Sequence, residues 1–330
     1  MIHLRSALRG ALLAAALFST TTVAAAALTC PKSPAAPAAM TRLRAAMAQG
    51  RFIAYEPISL KVVNAQVTPA DPAGIRADLS VLRERFDGLI TYDAVHGAEQ
   101  IAPIAAALKF RALIIGVWNP ADDAQLEAAV AAARRFPDLV VGISLGNETL
   151  FAHQSDFPAL TALIARARAR VPGIAFTTTE PFHIYYDPAA APLLAQLDFL
   201  LVNVHPIFQP WFKDAPDRNA AQFVVNVLAK LAPLACGPLL VKETGEPTAP
   251  AEAGFSEARQ ASFYRELRRQ LPPAPGRAFA YFAAFDLPWR AYDGGPVPGA
   301  HPEEAHFGLY DAQRRPKPAA LEIPELSGVN

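Results

Sequence analysis

The chain has 330 residues, 52% of them hydrophobic and only 18% charged, enough to bury one large core in a single domain. Its 30 Lys and Arg balance 30 Asp and Glu without a block of like charge, so the formal net charge is zero. That excludes the basic footprint of a nucleic-acid binder and suits a neutral or weakly charged ligand.

In chain order, residues 1–27 read as a secretory signal. Arg5 and Arg9 precede the apolar run Ala11–Phe18, and Ser/Thr residues lead on to the small residues Ala24–Ala27. The run is too short to span a bilayer, and no later stretch reaches the roughly 18 to 20 apolar residues of a membrane helix. The expected product is exported across the inner membrane, periplasmic or extracellular, with no stable membrane insertion after cleavage. Residues 28–50 read as a Pro/Ala-rich spacer, Pro31–Ala39, followed by a short helix, Met40–Gln49. Cys30 and Cys236 leave three readings open: a disulfide in an oxidising compartment, two free thiols, or acylation of Cys30, for which Leu28-Thr29 is a poor leader.

From residue 51 to 330 a rhythm sets in. Apolar or β-branched runs occur at Phe52–Tyr55, Gly88–Tyr92, Ala112–Val117, Leu139–Ile143, Ile174–Thr178, Phe199–Asn203, Leu239–Val241 and Ala278–Ala283. Helical patterns fill most gaps, at Ala73–Phe86, Ala121–Phe136, Phe157–Val171, Arg218–Leu231 and Ser256–Leu271. In the second of these, Asp122 and Asp123 open the helix and Arg134 and Arg135 close it, as the helix dipole favours. Eight continuous apolar strands alternating with helices imply parallel pairing through right-handed crossovers, and the economical closure is an α/β fold of the (β/α)₈ TIM-barrel type. An open doubly wound sheet is the alternative, but no G-x-G-x-x-G or P-loop is present.

Two of the strands run into glutamates, Ile143-Ser-Leu-Gly-Asn-Glu148 and Leu239-Leu-Val-Lys-Glu243. Strand ends hold side chains rigidly, and strands four and seven of a barrel deliver both carboxylates to its C-terminal face. A retaining glycosidase needs such a pair: one acid to protonate the departing oxygen and one carboxylate to attack the anomeric carbon. Other polar residues stand at strand exits too: Tyr55, Tyr92-Asp93, Trp118-Asn119, Thr179-Glu180, Asn203 with His205, and Asp286 with Trp289. Tyr55, Tyr92, Asn119, Asn203 and His205 are candidates to contact substrate.

Gly146-Asn-Glu148, Leu201-Val-Asn-Val-His-Pro-Ile-Phe208, Val241-Lys-Glu-Thr-Gly-Glu-Pro-Thr248, Phe282-Ala-Ala-Phe-Asp-Leu-Pro-Trp-Arg290 and His306-Phe-Gly-Leu-Tyr-Asp311 together resemble glycoside hydrolase family 17, bacterial type. That family contains β-1,3-glucanases and β-1,3-glucanosyltransferases, and the resemblance extends from about Tyr55 to Asp311. It implies that Glu148 is the general acid/base, that Glu243 is the nucleophile, and that Asn147 bonds the sugar 2-hydroxyl. Three departures stand out. Glu246 occupies a position where most members have tryptophan; Ala283 and Leu287 replace two glutamates; and Arg290 replaces a lysine. Either Glu246 restores part of the missing acidic charge, or the site favours a different glucan, a different linkage, or transfer over hydrolysis.

Sugar rings stack on aromatic faces, and Phe182, Tyr185, Tyr186, Phe208, Trp211, Trp289 and Tyr292 fall in loops after strands five, six and eight. For each singly, packing under a loop is the plainer fate; Trp211 and Trp289 are the preferred sugar platforms. His183, His205, His301 and His306 lack the short spacing of a zinc site, so no metal is expected, and no organic cofactor. His205 stands where relatives often have tyrosine, with a sugar-contacting or acid-tuning role weighed against a structural one. Strand alternation puts Lys242 on the face opposite Glu243, and Glu180 is read as shaping the cleft or pairing with an arginine. The expected function is a monomeric, retaining glycosidase on β-glucan, most simply β-1,3-linked. The alternatives are transglycosylation by the same pair and a glucan-binding barrel without turnover.

Overall fold

The computed structural model describes residues 30, 35–63, 66–214, 216–292 and 301–327; the signal-like segment lies outside them. Eight parallel strands close a barrel in the order β1-β10-β9-β8-β7-β6-β5-β4. They are β1 (Phe52–Ala54), β4 (Gly88–Ile90), β5 (Ala112–Val117), β6 (Val140–Asn147), β7 (Phe176–Pro181), β8 (Leu200–Asn203), β9 (Leu239–Glu243) and β10 (Arg277–Tyr281). A small antiparallel hairpin, β2 (Lys61–Val63) with β3 (Gln66–Thr68), is inserted after β1. All six residues of β5 are buried, as expected of a parallel strand covered on both faces. The chain is a single-domain (β/α)₈ TIM barrel.

Helices α2 (Pro72–Arg83), α3 (Ile101–Ala107), α4 (Asp123–Arg135), α5 (Phe157–Arg170), α6 (Ala191–Leu194), α7 (Asp217–Leu231) and α8 (Glu257–Gln270) fall between barrel strands, and α9 (Pro318–Leu321) follows the last. Their starts are written in the sequence. Asp71, Asp122, Asp156 and Ser256 each accept a bond from an amide in the first turn, at 2.7, 2.9, 2.8 and 3.2 Å. The barrel interior interleaves large and small residues: a Cβ on Gly142 would sit 2.5 Å from the Phe199 ring, so only glycine admits it.

The base of the barrel is closed by α1 (Pro37–Gln49), which begins within the stretch expected to be spacer. Its Leu43 and Met47 are fully buried in one cluster with Phe52, Ile114, Val141 and Phe199, the inward residues of the strands. Gly50, at φ 62°, ends the helix and turns the chain into β1. Cys30 and Cys236 are disulfide-bonded, Cα atoms 5.3 Å apart across 206 residues of sequence, tying the N-terminal segment to the loop before β9.

Candidate active site

Two irregular strand ends build the site at the C-terminal face. The pairing of β6 with β7 shifts register between Ser144 and Asn147. Gly146 (φ 84°) and Glu148 (φ 58°) both take left-handed backbone, so alternation breaks down there and both Asn147 and Glu148 reach the cluster. Glu148 Oε1 accepts from Asn203 Nδ2 at 2.8 Å.

A second shift lies between β8 and β9, one strand pair further round the barrel. Val202 pairs with Val241 and Asn203 with Glu243, which leaves Lys242 unmatched as a bulge. The expectation that Lys242 would face away from Glu243 is therefore wrong: Lys242 Nζ lies 3.6 Å from Glu243 Oε1, donates to Asn147 Oδ1 at 2.6 Å and sits 3.9 Å over the Tyr92 ring. His205 Nε2 lies 3.3 Å from Glu243 Oε2. Phe208, Phe282 and Phe307 meet the His205 ring edge-on and restrict its orientation.

The two glutamates have opposite electrostatics. Burial opposes ionisation of Glu243, but the hydrogen bond from His205 and the charges of Lys242, His205 and Arg290 overcome it and hold its pKa below the usual value. Glu148 is pushed the other way, by burial first and by the charge of Glu243 second. Burial works against the charge on His205, yet its bond to Glu243 leaves its pKa raised. The two carboxyl groups are thus pushed in opposite directions, Glu148 toward its protonated form and Glu243 toward its ionised form, the direction of division that acid-assisted displacement needs.

Arg290 reaches the cluster from the turn after β10. It pairs with Glu56 at 2.5 Å and lies 5.5 Å over the Tyr92 and Trp289 rings. Glu304 lies near enough to Arg290, His205 and Glu243 to feel their charges, and burial raises its pKa. Glu56 and Glu304 thus bring two further carboxyl groups to Arg290 at the edge of the cluster. Glu246 does not. Fully buried, it turns toward α8, its Oε2 3.0 Å from Arg259 Nε, and burial pushes its pKa to about 8.

Tyr92, Asn147, Asn203 and His205 gather around the two glutamates; other candidates do not. Phe52 and Ala54 point into the barrel, so alternation sends Tyr55 outward. There it is 0% exposed and its hydroxyl donates to Asp78 Oδ2 at 2.9 Å. Asn119 is exposed, and its Oδ1 accepts from Ala121 N at 3.1 Å in the turn before α4. Trp211 is 36% exposed, packs edge-on to Phe223, and lines a pocket of about 510 Å³ with Asp214, Asn219, Gln222, Phe223 and Asn226 of the α7 side. None of the cluster residues lines that pocket. Trp289 is half-buried beneath Arg290. Tyr185 is packing: buried, with its hydroxyl on the Thr178 and Leu201 carbonyls.

Sequence reasoning missed Lys242, Glu56 and Glu304 as members of this neighbourhood. For Lys242 the signal was its place beside Glu243, discounted because a bulge is invisible in an apolar run; Glu56 and Glu304 stand in no motif. Glu180 is buried and pairs with no arginine among the described residues; it accepts from Thr149 Oγ1, Leu150 N and Phe151 N, and burial raises its pKa to about 7.

The family model of the BtgE/BtgC glycoside hydrolase domain matches residues 53–308. A glucan 1,3-beta-glucosidase of Arthroderma benhamiae is 28% identical over 263 residues, 75% of this chain and 84% of that protein. In fold the chain is similar to a glycoside hydrolase family 17 β-1,3-glucanosyltransferase from Rhizomucor miehei, with a TM-score of 0.60 at 20% identity over 82% of this chain and 96% of that one. It is similar also to an endo-laminarinase from Formosa, with a TM-score of 0.64 at 19% identity over 82% and 85%. An active-site mutant of the Rhizomucor enzyme is known in complex with laminaritriose.

Proposed function

The chain belongs to the BtgE/BtgC glycoside hydrolase family, homologous to the family 17 β-1,3-glucanases and glucanosyltransferases, and from that premise we propose that it is a bacterial-type enzyme acting on β-1,3-linked glucan with retention of configuration. A β-1,3-glucanase-like glycoside hydrolase needs an acid and a nucleophile. The observation that carries their assignment is the opposed environment of two glutamates at the C-terminal ends of β6 and β9, Glu148 half-buried and Glu243 buried.

In the proposed reaction Glu243 attacks the anomeric carbon while Glu148 gives its proton to the glycosidic oxygen, which leaves as an alcohol. A covalent glycosyl-enzyme results. Glu148, now ionised, takes a proton from water as the water oxygen attacks that carbon, releasing Glu243 and restoring both groups. Lys242 holds the Asn147 carbonyl oxygen, which leaves the Asn147 amide nitrogen to donate to the sugar 2-hydroxyl. Neither step calls on a metal or an organic cofactor. The signal-like N-terminus and the Cys30–Cys236 bond support export to an oxidising compartment.

The test is incubation of the protein and its Glu243→Gln variant with laminari-oligosaccharides, following product length by mass spectrometry and anomeric configuration by NMR. Products of retained configuration, absent with the variant, are expected. Chains longer than the substrate would assign transfer to a sugar acceptor in place of hydrolysis. Undiminished turnover by the variant would refute the nucleophile; binding without turnover of any β-glucan would make the barrel a binding protein.

A further inference from the structure

We infer that Glu180 is a positioning residue for Glu148, its carboxylate fixing the turn that aims the acid; the inference rests on the reading of Glu148 as general acid/base. Glu148 leaves β6 at φ 58°, left-handed backbone that a residue with a side chain adopts only when its surroundings hold it there. The neighbouring strand grips it on both sides. Before the turn, Glu148 N donates to the Thr179 carbonyl on β7 at 2.8 Å. After it, the next residue of β7 supplies the side chain: Glu180 Oε1 accepts from Leu150 N at 2.9 Å and from Thr149 Oγ1 at 3.2 Å, and Oε2 accepts from Phe151 N at 3.2 Å.

Three successive residues after Glu148 therefore end on one carboxylate. The turn closes on itself as well, with Ala152 N on the Glu148 carbonyl at 2.8 Å and Gln154 N on the Thr149 carbonyl at 2.9 Å. The amides of Leu150 and Phe151 open this turn as the first amides of a helix do, and a buried amide without an acceptor is costly. Glu180 is fully buried, so water is not at hand to replace it. In its ionised form Glu180 offers two acceptor oxygens and no hydrogen, and so meets all three donors.

A misaimed acid has a kinetic signature. Protonation matters in proportion to how poor the leaving group is, so a displaced Glu148 slows glucan cleavage while sparing substrates whose leaving group departs as a stable anion. In Glu180→Gln the amide turns a donor toward at least one of the three donors. The experiment measures kcat/KM, which reads the glycosylation step, for a laminari-oligosaccharide and for a 2,4-dinitrophenyl β-laminaribioside. The expected result is a loss of about 10- to 100-fold on the oligosaccharide, the effect of a small misplacement, with the aryl glycoside kept within about 3-fold because its departure needs no proton.

Glu148→Gln is the control and should show the same selectivity more strongly. Equal losses on both substrates in Glu148→Gln would refute the acid assignment itself, not the coupling to Glu180. With that control selective, a folded Glu180→Gln that loses nothing, or loses equally on both substrates, overturns the inference. Where Glu180→Gln does not fold, Glu180→Asp answers the same question: it keeps the charge but is one methylene short of the amides, and a selective loss supports positioning while an equal one refutes it.

Discussion

Lys242 shows how a single extra residue decides the chemistry of a site. Because β9 carries one residue more than β8 can match, two consecutive side chains turn toward the carboxylates, and an ammonium comes within 3.6 Å of Glu243. An opposite charge at that range lowers a carboxyl pKa by about one to three units. Lys242→Met is therefore expected to raise the Glu243 pKa. The acid limb of the kcat/KM profile reports a nucleophile that must be ionised, so as pH falls the variant loses activity earlier, at a pH higher by about one unit or more. A profile measured from pH 3 to 9 checks it, and an acid limb that stays in place would mean Lys242 serves only to hold Asn147. With Glu148 as the proposed acid, the alkaline limb follows its pKa, which burial and the charge of Glu243 raise. Glu246 carries the opposite lesson. Its pKa of about 8 in the fold exceeds the 4.5 of a free side chain. The native state thus keeps a proton that the unfolded chain has lost, so this group's stabilisation is present below pH 4.5 and disappears as pH rises through about 8. Glu246→Gln should make the fall of the melting temperature between pH 5 and 8 shallower; identical slopes would sink the idea. Which residues of the site were legible follows from these cases. Glu148 and Glu243 stand out as a pair of glutamates closing apolar runs and through the family resemblance of the motifs around them, whereas Tyr55 ends such a run equally well and is turned outward by parity, and the inward turn of Lys242 depends on a register that no local pattern records.

At the scale of elements the sequence speaks clearly where burial is two-sided. Each of the eight apolar runs contains or overlaps a barrel strand, because residues covered on both faces leave little room for polar ones. Helix starts were read nearly to the residue where Asp or Ser caps them, as at Asp122 and Ser256. The hairpin β2–β3, exposed along most of its length, gave no such sign. Helix α1 was half seen. Its alanines and prolines read as spacer, since the partner that makes it amphipathic is the open floor of a barrel whose residues are scattered through the sequence from Phe52 to Ala280. That floor explains why Leu43 and Met47 have no exposure at all. Leu43→Ala is expected to destabilise the fold by about 2–5 kcal/mol, the range for emptying a buried leucine site. Denaturant unfolding of the two proteins measures this. The site lies at the other end of the strands, so kcat of the folded variant should stay within about 2-fold; a loss below about 1 kcal/mol would show that α1 is an appendage and not part of the core.

For the whole molecule, closure of the barrel and the covalent tie address the same problem from two directions. A barrel has no sheet edges, but its contacts join residues far apart in sequence, and closing such loops is entropically expensive. β1 pairs directly with β10, Phe52 opposite Ala280, so the first and last strands must find each other across the entire chain. The Cys30–Cys236 bond spans 206 residues and fastens the segment ahead of α1 to the approach of β9, the strand that carries Glu243. Any unfolded chain that keeps this bond has its N-terminal segment beside the seventh strand before folding starts. The chain-entropy estimate for a loop of that length is about 5 kcal/mol, and measured losses on removing native disulfides run from about 2 to 5 kcal/mol. A Cys30→Ser, Cys236→Ser double variant should therefore unfold at clearly lower denaturant concentration while retaining catalysis, because neither cysteine belongs to the carboxylate cluster. The reagent dithiothreitol should reproduce the shift in the natural protein and leave the double variant unchanged. If the double variant matched the natural protein in its unfolding midpoint, the bond would add nothing that α1, packed into the barrel floor, does not already supply.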